Sequence, residues 1–343
     1  MKQYRKFAAI VISVVMVVFG HGQSALAQAD KDKAETQKSR APKGYYIMEG
    51  REDMMKAMEG QISRSAEIKA VRVAEGIYML TTPGMGGSNM IASVGSDGVL
   101  LIDDAFPELT DATMGEIRKL TDKPVRFVLN THWHWDHTGG NGNMAKAGAT
   151  IIAQESVMPW MTTWQISGMD GTPKAPQPPK GLPVITFKDE ITVRLNGQTI
   201  VFTNAGPAHS DGDAIVHFAE ADVYVMGDIY LTRSYPFIDL NTGGNIKGYI
   251  AAVDKVLAKV KPDTIIIPGH GSISKGSDLK EYRDMIVTLC DRVQAAINEG
   301  KTLDEIIAMK PTADLDKKWS NPVMIPSATL KFIYVSLTKR TGR

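Results

Sequence analysis

The sequence predicts a layered α/β protein in which two β-sheets are covered by helices. Three observations carry this. Residues 70–103 hold three β-rich runs, Val71–Leu80, Asn89–Val94 and Val99–Asp103, separated by glycine-rich turns. Beyond them, apolar strands alternate with helical periodicity. From residue 276 onward the pattern is mostly helical. No G-x-G-x-x-G or G-K-[ST] loop stands at a strand–helix junction, which argues against a doubly wound nucleotide-binding sheet.

Each element has its own signal. Lys2, Arg5 and Lys6 precede an apolar run, Phe7–Phe19, and Ala25-Leu26-Ala27 has the small-x-small form of a cleavage site. Residues 1–29 therefore read as a secretory signal peptide, too short in its apolar core to span a bilayer. Residues 30–69 read as a charged, unstructured leader ending in a short helix over 45–69. In that helix Met54, Met55, Met58 and Ile62 form a packing face rather than a metal site. Asp111–Leu120 is a helix, Val125–Asn130 a buried strand, Met144–Ala147 a short helix and Ile151–Ala153 a strand. Ile191–Leu195 and Thr199–Thr203 flank Asn196-Gly197, the strongest short hairpin signal. Ala214–Phe218, Val223–Met226 and Thr264–Ile267 are strands, and Ile246–Val260 is an amphipathic helix. Helices follow over 278–299, 302–309 and 327–339. Residues 168–183 are rich in Pro, Gly and Lys and read as a surface loop with the composition of a lid.

The chain has 343 residues, 39 Lys+Arg and 38 Asp+Glu. Losing the signal peptide removes three basic residues and no acidic ones, taking the formal charge from +1 to −2. That balance gives a nucleic-acid role no support. The expected partner is a small-molecule substrate, met in the periplasm by a protein with no membrane anchor once the leader is cut. The oligomeric state is not legible. The single cysteine, Cys290, allows no intramolecular disulfide and no cysteine-based zinc site, and it reads as a buried helix residue.

The histidines are not scattered. His132, His134, Asp136 and His137 follow the strand Val125–Asn130 within six positions. His209, Asp228 and His270 each lie shortly after another apolar strand. Loops at strand ends converge readily on one cleft, and imidazole with carboxylate suits zinc and similar divalent ions. Seven nitrogen and oxygen donors exceed one tetrahedron and fit two metals with open positions. His217, inside a strand, reads as an ordinary packed or surface residue.

Asp103, the string His132-x-His134-x-Asp136-His137, His209, Asp228 and His270, in that order, resemble the metallo-β-lactamase superfamily over roughly 70–285. The resemblance implies an αββα sandwich with the site between the sheets, followed by a helical C-terminal extension over 286–343. It implies His132, His134 and His209 on one zinc ion, Asp136, His137 and His270 on a second, and Asp228 bridging. Asp103 would organise the metal loop, although the adjacent Asp104 competes for that assignment. The implied chemistry is hydrolysis by a hydroxide held between two Zn2+ ions, on a carbonyl ester, lactone or amide, β-lactams included. Asp228 makes the chain look more like the lactonase and glyoxalase branch than a strong β-lactamase. Asp136 is expected to orient the nucleophile or carry a proton, and Tyr230 to stabilise an oxyanion. Trp133 and Trp135 are expected to line the cleft, and Trp160 and Trp164 to share one helix that packs as core or lies over the site. Arg233 and Lys247 read as solvated charges, with a grip on a substrate carboxylate as the functional alternative. Two alternatives remain open: an iron-dependent oxidoreductase on the same fold, and a non-hydrolytic metal-binding accessory protein of a periplasmic redox system.

Overall fold

The computed structural model describes residues 67–81, 87–168 and 171–338. The expected signal peptide, the charged leader and all but the last three residues of the helix expected over 45–69 lie outside these. Among the described residues, no helix is long and apolar enough to cross a membrane.

The first sheet is built from β1 (Lys69–Ala74), β2 (Ile77–Thr81), β3 (Met90–Gly95), β4 (Gly98–Ile102), β5 (Val125–Asn130), β6 (Thr150–Gln154) and β9 (Ile185–Phe187), in that spatial order. β1 to β4 form an antiparallel meander, and β4, β5, β6 and β9 run parallel. Val71–Leu80, read as one strand, is a hairpin. Gly76 at φ +66° takes the left-handed conformation that the turn needs. Between β6 and β9, the short strands β7 (Gln165–Ile166) and β8 (Pro173–Lys174) pair with each other.

The second sheet runs β10 (Glu190–Leu195), β11 (Gln198–Asn204), β12 (Ala214–Phe218), β13 (Val223–Val225), β14 (Ile265–Ile267) and β15 (Ser274–Lys275). β10 and β11 meet at Asn196 and Gly197, both at positive φ, as the Asn-Gly signal requires. β13 and β14 are parallel, so both strands end at the same edge.

Helices α1 (Thr110–Leu120), α2 (Trp135–Thr138), α3 (Asn141–Lys146) and α4 (Val157–Thr162) accompany the first sheet. Helices α5 (Ile246–Leu257), α6 (Gly276–Asn298), α7 (Leu303–Met309), α8 (Asp316–Trp319) and α9 (Pro326–Thr338) follow in the second half. Strand alternation sorts the core into layers. Leu100 and Ile102 pack inward against Ile200, Phe202 and Val216 of the second sheet. Val99 and Leu101 point the other way, against Leu109, Ile117 and Met144. Tyr224 and Ile266 face outward onto Tyr249, Val253, Leu279 and Phe332. The result is the expected αββα sandwich. Helix α6 runs unbroken through residue 285, and the C-terminal helices share the second sheet's outer core.

Residues 168–183 are less free than a lid. In the described part, the Gln177 amide donates to the Met161 carbonyl at 2.8 Å and the Gln177 side chain donates to the Thr138 carbonyl at 2.9 Å. Asn141 also donates to the Gly181 carbonyl at 3.1 Å.

Candidate metal centre

The sandwich gathers its strand ends. β4 and β5 are parallel and release Asp103 and the His132–His137 loop at one edge. In the second sheet, β11, β13 and β14 share a direction, and His209, Asp228 and His270 follow their C-terminal ends. The two edges are stitched together. The Ala214 amide donates to the Thr131 carbonyl at 2.7 Å, and the Asn89 amide to the Gly269 carbonyl at 2.8 Å.

Seven side chains meet there as two groups. His132, His134, His209 and Asp228 offer donor atoms within 4.8 Å of one another, and Asp136, His137 and His270 do the same. These are the seven residues singled out in the sequence. Asp228 faces both groups. Its Oδ2 lies 4.0 Å from His132 Nε2 and 3.7 Å from His209 Nε2. Its Oδ1 lies 3.3 Å from His137 Nε2 and 3.4 Å from His270 Nε2.

Most of the histidines are fixed by an acceptor behind them, which selects the nitrogen facing inward. His209 Nδ1 donates to the Phe237 carbonyl at 2.9 Å, and His270 Nδ1 to the Gly87 carbonyl at 3.2 Å. His137 Nδ1 lies 2.8 Å from Asp103 Oδ2. His134 is reversed: its Nε2 lies 2.9 Å from Asp239 Oδ2, and its Nδ1 turns inward, 2.9 Å from His209 Nε2. Asp239 escaped the sequence reading because no local pattern links it to a histidine 105 positions earlier.

Asp103, not Asp104, serves the site. Its carboxylate accepts from the Thr131 amide and hydroxyl, each at 2.7 Å, besides meeting His137. Asp104 turns away and accepts from the Gly140 amide at 2.9 Å. Burial, reinforced by the neighbouring Asp103 charge, pushes the Asp104 carboxyl well above the usual range.

The electrostatics differ from residue to residue: burial works against a charged His134, yet Asp239 raises it. Burial lowers His132 well below the ordinary imidazole value and takes His209 down to about 4, so both stay neutral. Burial opposes protonation of His270 as well, but Asp228 and Asp136 outweigh it and raise His270 to about 10. Burial likewise works against ionised Asp136, yet His137 and His270 hold it below the usual carboxylate range.

Donor chemistry tests whether divalent metals fit. His132 Nε2 and Asp228 Oδ1 are buried without hydrogen-bond partners among the described residues, a costly arrangement unless something binds them. The inward atoms are imidazole nitrogens and carboxylate oxygens, the set that zinc and similar ions prefer. The residues fit two such ions.

Other expected site residues stand apart. The Tyr230 hydroxyl donates to Ser274 Oγ at 3.0 Å, and its ring packs on Tyr282, so it is not aimed at the centre. A 3-10 turn at Gly227–Ile229 followed by extended backbone sends Tyr230 away from Asp228. Trp133 backs His134 at 4.6 Å between ring centroids and donates to Thr242 Oγ1. Trp135 opens α2. Trp160 on α4 donates to Asp211 Oδ1 at 2.8 Å, but α4 ends before Trp164, which is exposed. Arg233 and Lys247 are exposed, His217 stacks on Tyr224 away from the centre, and Cys290 is buried.

The chain is similar to known proteins. The family description "Metallo-beta-lactamase superfamily" matches residues 82–270. A type 2 metallo-beta-lactamase from Bacteroides fragilis is 24% identical over 206 residues, covering 57% of this chain and 76% of that protein. A linear primary-alkylsulfatase from Pseudomonas sp. is 20% identical over 253 residues, covering 62% of this chain, which spans about half (47%) of that protein's length. The solved metallo-beta-lactamase from Pontibacter korlensis superposes with a TM-score of 0.53 at 18% identity, over 64% of this chain and 99% of that one. With a match over more than half its length and a His/Asp cluster at the sandwich edge, the chain belongs to the metallo-beta-lactamase superfamily.

Proposed function

We propose that this protein is an exported hydrolase that holds two zinc ions and cleaves an ester, lactone or amide bond in a small molecule. One observation carries the reading: Asp228 presents one carboxylate oxygen to each donor group, which suits a shared ligand between two ions. His132, His134 and His209 would complete one site, and Asp136, His137 and His270 the other. When bound, such ions supply Lewis acidity, polarising the scissile group and making water a nucleophile near neutral pH.

The chain's own residues do the rest. Asp136 and His270 are about a quarter exposed, while His132, His137 and His209 are closed off, so substrate would enter on the Asp136–His270 side. Asp136, kept ionised, is suited to orient water by accepting a hydrogen bond from it. A second substrate class, sulfate esters, is favoured by one observation: the alkylsulfatase match runs over 253 residues against 206 for the lactamase.

The test is metal analysis coupled to a panel of a chromogenic β-lactam, a lactone, an aryl ester and an alkyl sulfate. Chelator-sensitive turnover of at least one member with two zinc ions per chain supports the proposal. Two ions without turnover would favour an accessory role, and one iron per chain would favour an oxidoreductase. Export is tested by fractionating cells that express the full chain, with a cytoplasmic product contradicting it.

A further inference from the structure

Asp228 is the residue that faces both donor groups, yet among the described residues its Oδ1 has no hydrogen-bond partner. Its backbone does. The Tyr249 hydroxyl donates to the Asp228 carbonyl at 2.8 Å, deep in the core. The Tyr249 and Tyr282 hydroxyls are 2.8 Å apart. A short hydroxyl pair thus backs the turn that carries Asp228, holding it at the residue 228 carbonyl.

The two tyrosines come from different helices, Tyr249 from α5 and Tyr282 from α6. Each helix is seated closely. A Cβ on Gly248 would collide with the Pro207 carbonyl, so α5 lies flush against the segment leading to His209. A Cβ on Gly276 would collide with the Lys261 carbonyl at the start of α6. Tyr282 is in turn packed between Tyr230, at 5.0 Å between centroids, and Trp319 of α8, at 5.7 Å. Both tyrosines are fully buried, so neither hydroxyl is there to meet substrate or solvent.

We infer that Tyr249 and Tyr282 are positioning residues, through which helices α5 and α6 set the placement of Asp228 and hence the spacing of the two ion sites. The inference rests on the two-ion reading of the centre. It gives α5 and α6 a part in the chemistry without any contact with substrate.

The experiment uses the full chain as Tyr249→Phe, Tyr282→Phe, the double variant, and Tyr235→Phe as a control. Tyr235 is another buried tyrosine, hydrogen-bonded to Asp316 at 2.8 Å and not linked to Asp228. Zinc affinity is measured by competition with a chromogenic chelator, alongside the denaturation midpoint of the metal-free protein. Tyr249→Phe is expected to weaken zinc binding roughly tenfold or more, the range for groups that support ligands. Tyr282→Phe should move it in the same direction by less, and the double variant should match Tyr249→Phe. Tyr235→Phe should lower the metal-free midpoint with unchanged zinc affinity. Unchanged zinc affinity in Tyr249→Phe would overturn the inference, as would an equal loss in Tyr235→Phe. Failure of the natural protein to bind two ions would instead defeat the underlying reading.

Discussion

Asp239 holds His134 from behind: its Oδ2 lies 2.9 Å from His134 Nε2, which leaves Nδ1 as the inward-facing nitrogen. The same residue also ties down a second member of the group, since the Asp239 amide donates to the His209 carbonyl at 2.8 Å. Asp103 does the corresponding work for His137 in the other group. One buried aspartate therefore stands behind each set of donors.

Asp239→Asn is expected to weaken zinc at the His132–His134–His209 group by roughly 10–100-fold, the usual cost of losing a carboxylate behind a ligating histidine. Asp103→Asn should act instead on the group containing His137. Stepwise zinc titration of each variant checks this, and the same site weakening in both would show that the backing is not site-specific.

Gly269→Ala should disturb the centre from below. The new methyl would run into Asp228 Oδ1 and lie 2.7 Å from the Gly227 carbonyl carbon. Overpacking of this kind costs about 1–3 kcal/mol. Urea denaturation of the metal-free protein should show that loss, and zinc content should fall with it.

The metal-free protein should lose stability as pH rises through the range of His270. Its folded value is raised to about 10 from an ordinary 6.5, with burial opposing and Asp228 and Asp136 prevailing. A raised histidine value contributes stability that is complete below pH 6.5 and lost as pH climbs toward 10. Urea midpoints measured with chelator across this window should decline, and His270→Gln should flatten the decline. Zinc binding must displace that proton, so calorimetry in buffers of different ionisation enthalpy should register proton release. A flat profile for the natural chain would contradict the assigned environment.

Tyr230→Phe should leave turnover within about twofold and cost about 0.5–1.5 kcal/mol of stability, the worth of the hydrogen bond to Ser274. A large fall in kcat with unchanged stability would restore the role expected from its sequence position.

The donor cluster is legible because four of its members crowd into residues 132–137 and the other three each follow an apolar strand. The Asn196-Gly197 hairpin and the long helices were readable for similarly local reasons. Failures came where direction depends on tertiary placement. Tyr230 is two residues from Asp228, yet the 3-10 turn between them sends its hydroxyl to Ser274. Asp239, Tyr249 and Tyr282 support the centre from far along the chain, with no periodicity to reveal them. The two-residue strands β7, β8 and β15 are too short to give a pattern, and the β1–β2 turn at Glu75-Gly76 is a single short interruption between two β-rich segments.

The central claim is that seven side chains build two ion sites joined through Asp228. The most direct test is the zinc-to-protein ratio after exhaustive dialysis. The account predicts about two ions per chain for the natural protein, about one for His209→Ala and for His270→Ala, and weakened retention of both in Asp228→Ala. No stoichiometric metal in the natural protein, or two ions fully retained in Asp228→Ala, would contradict it.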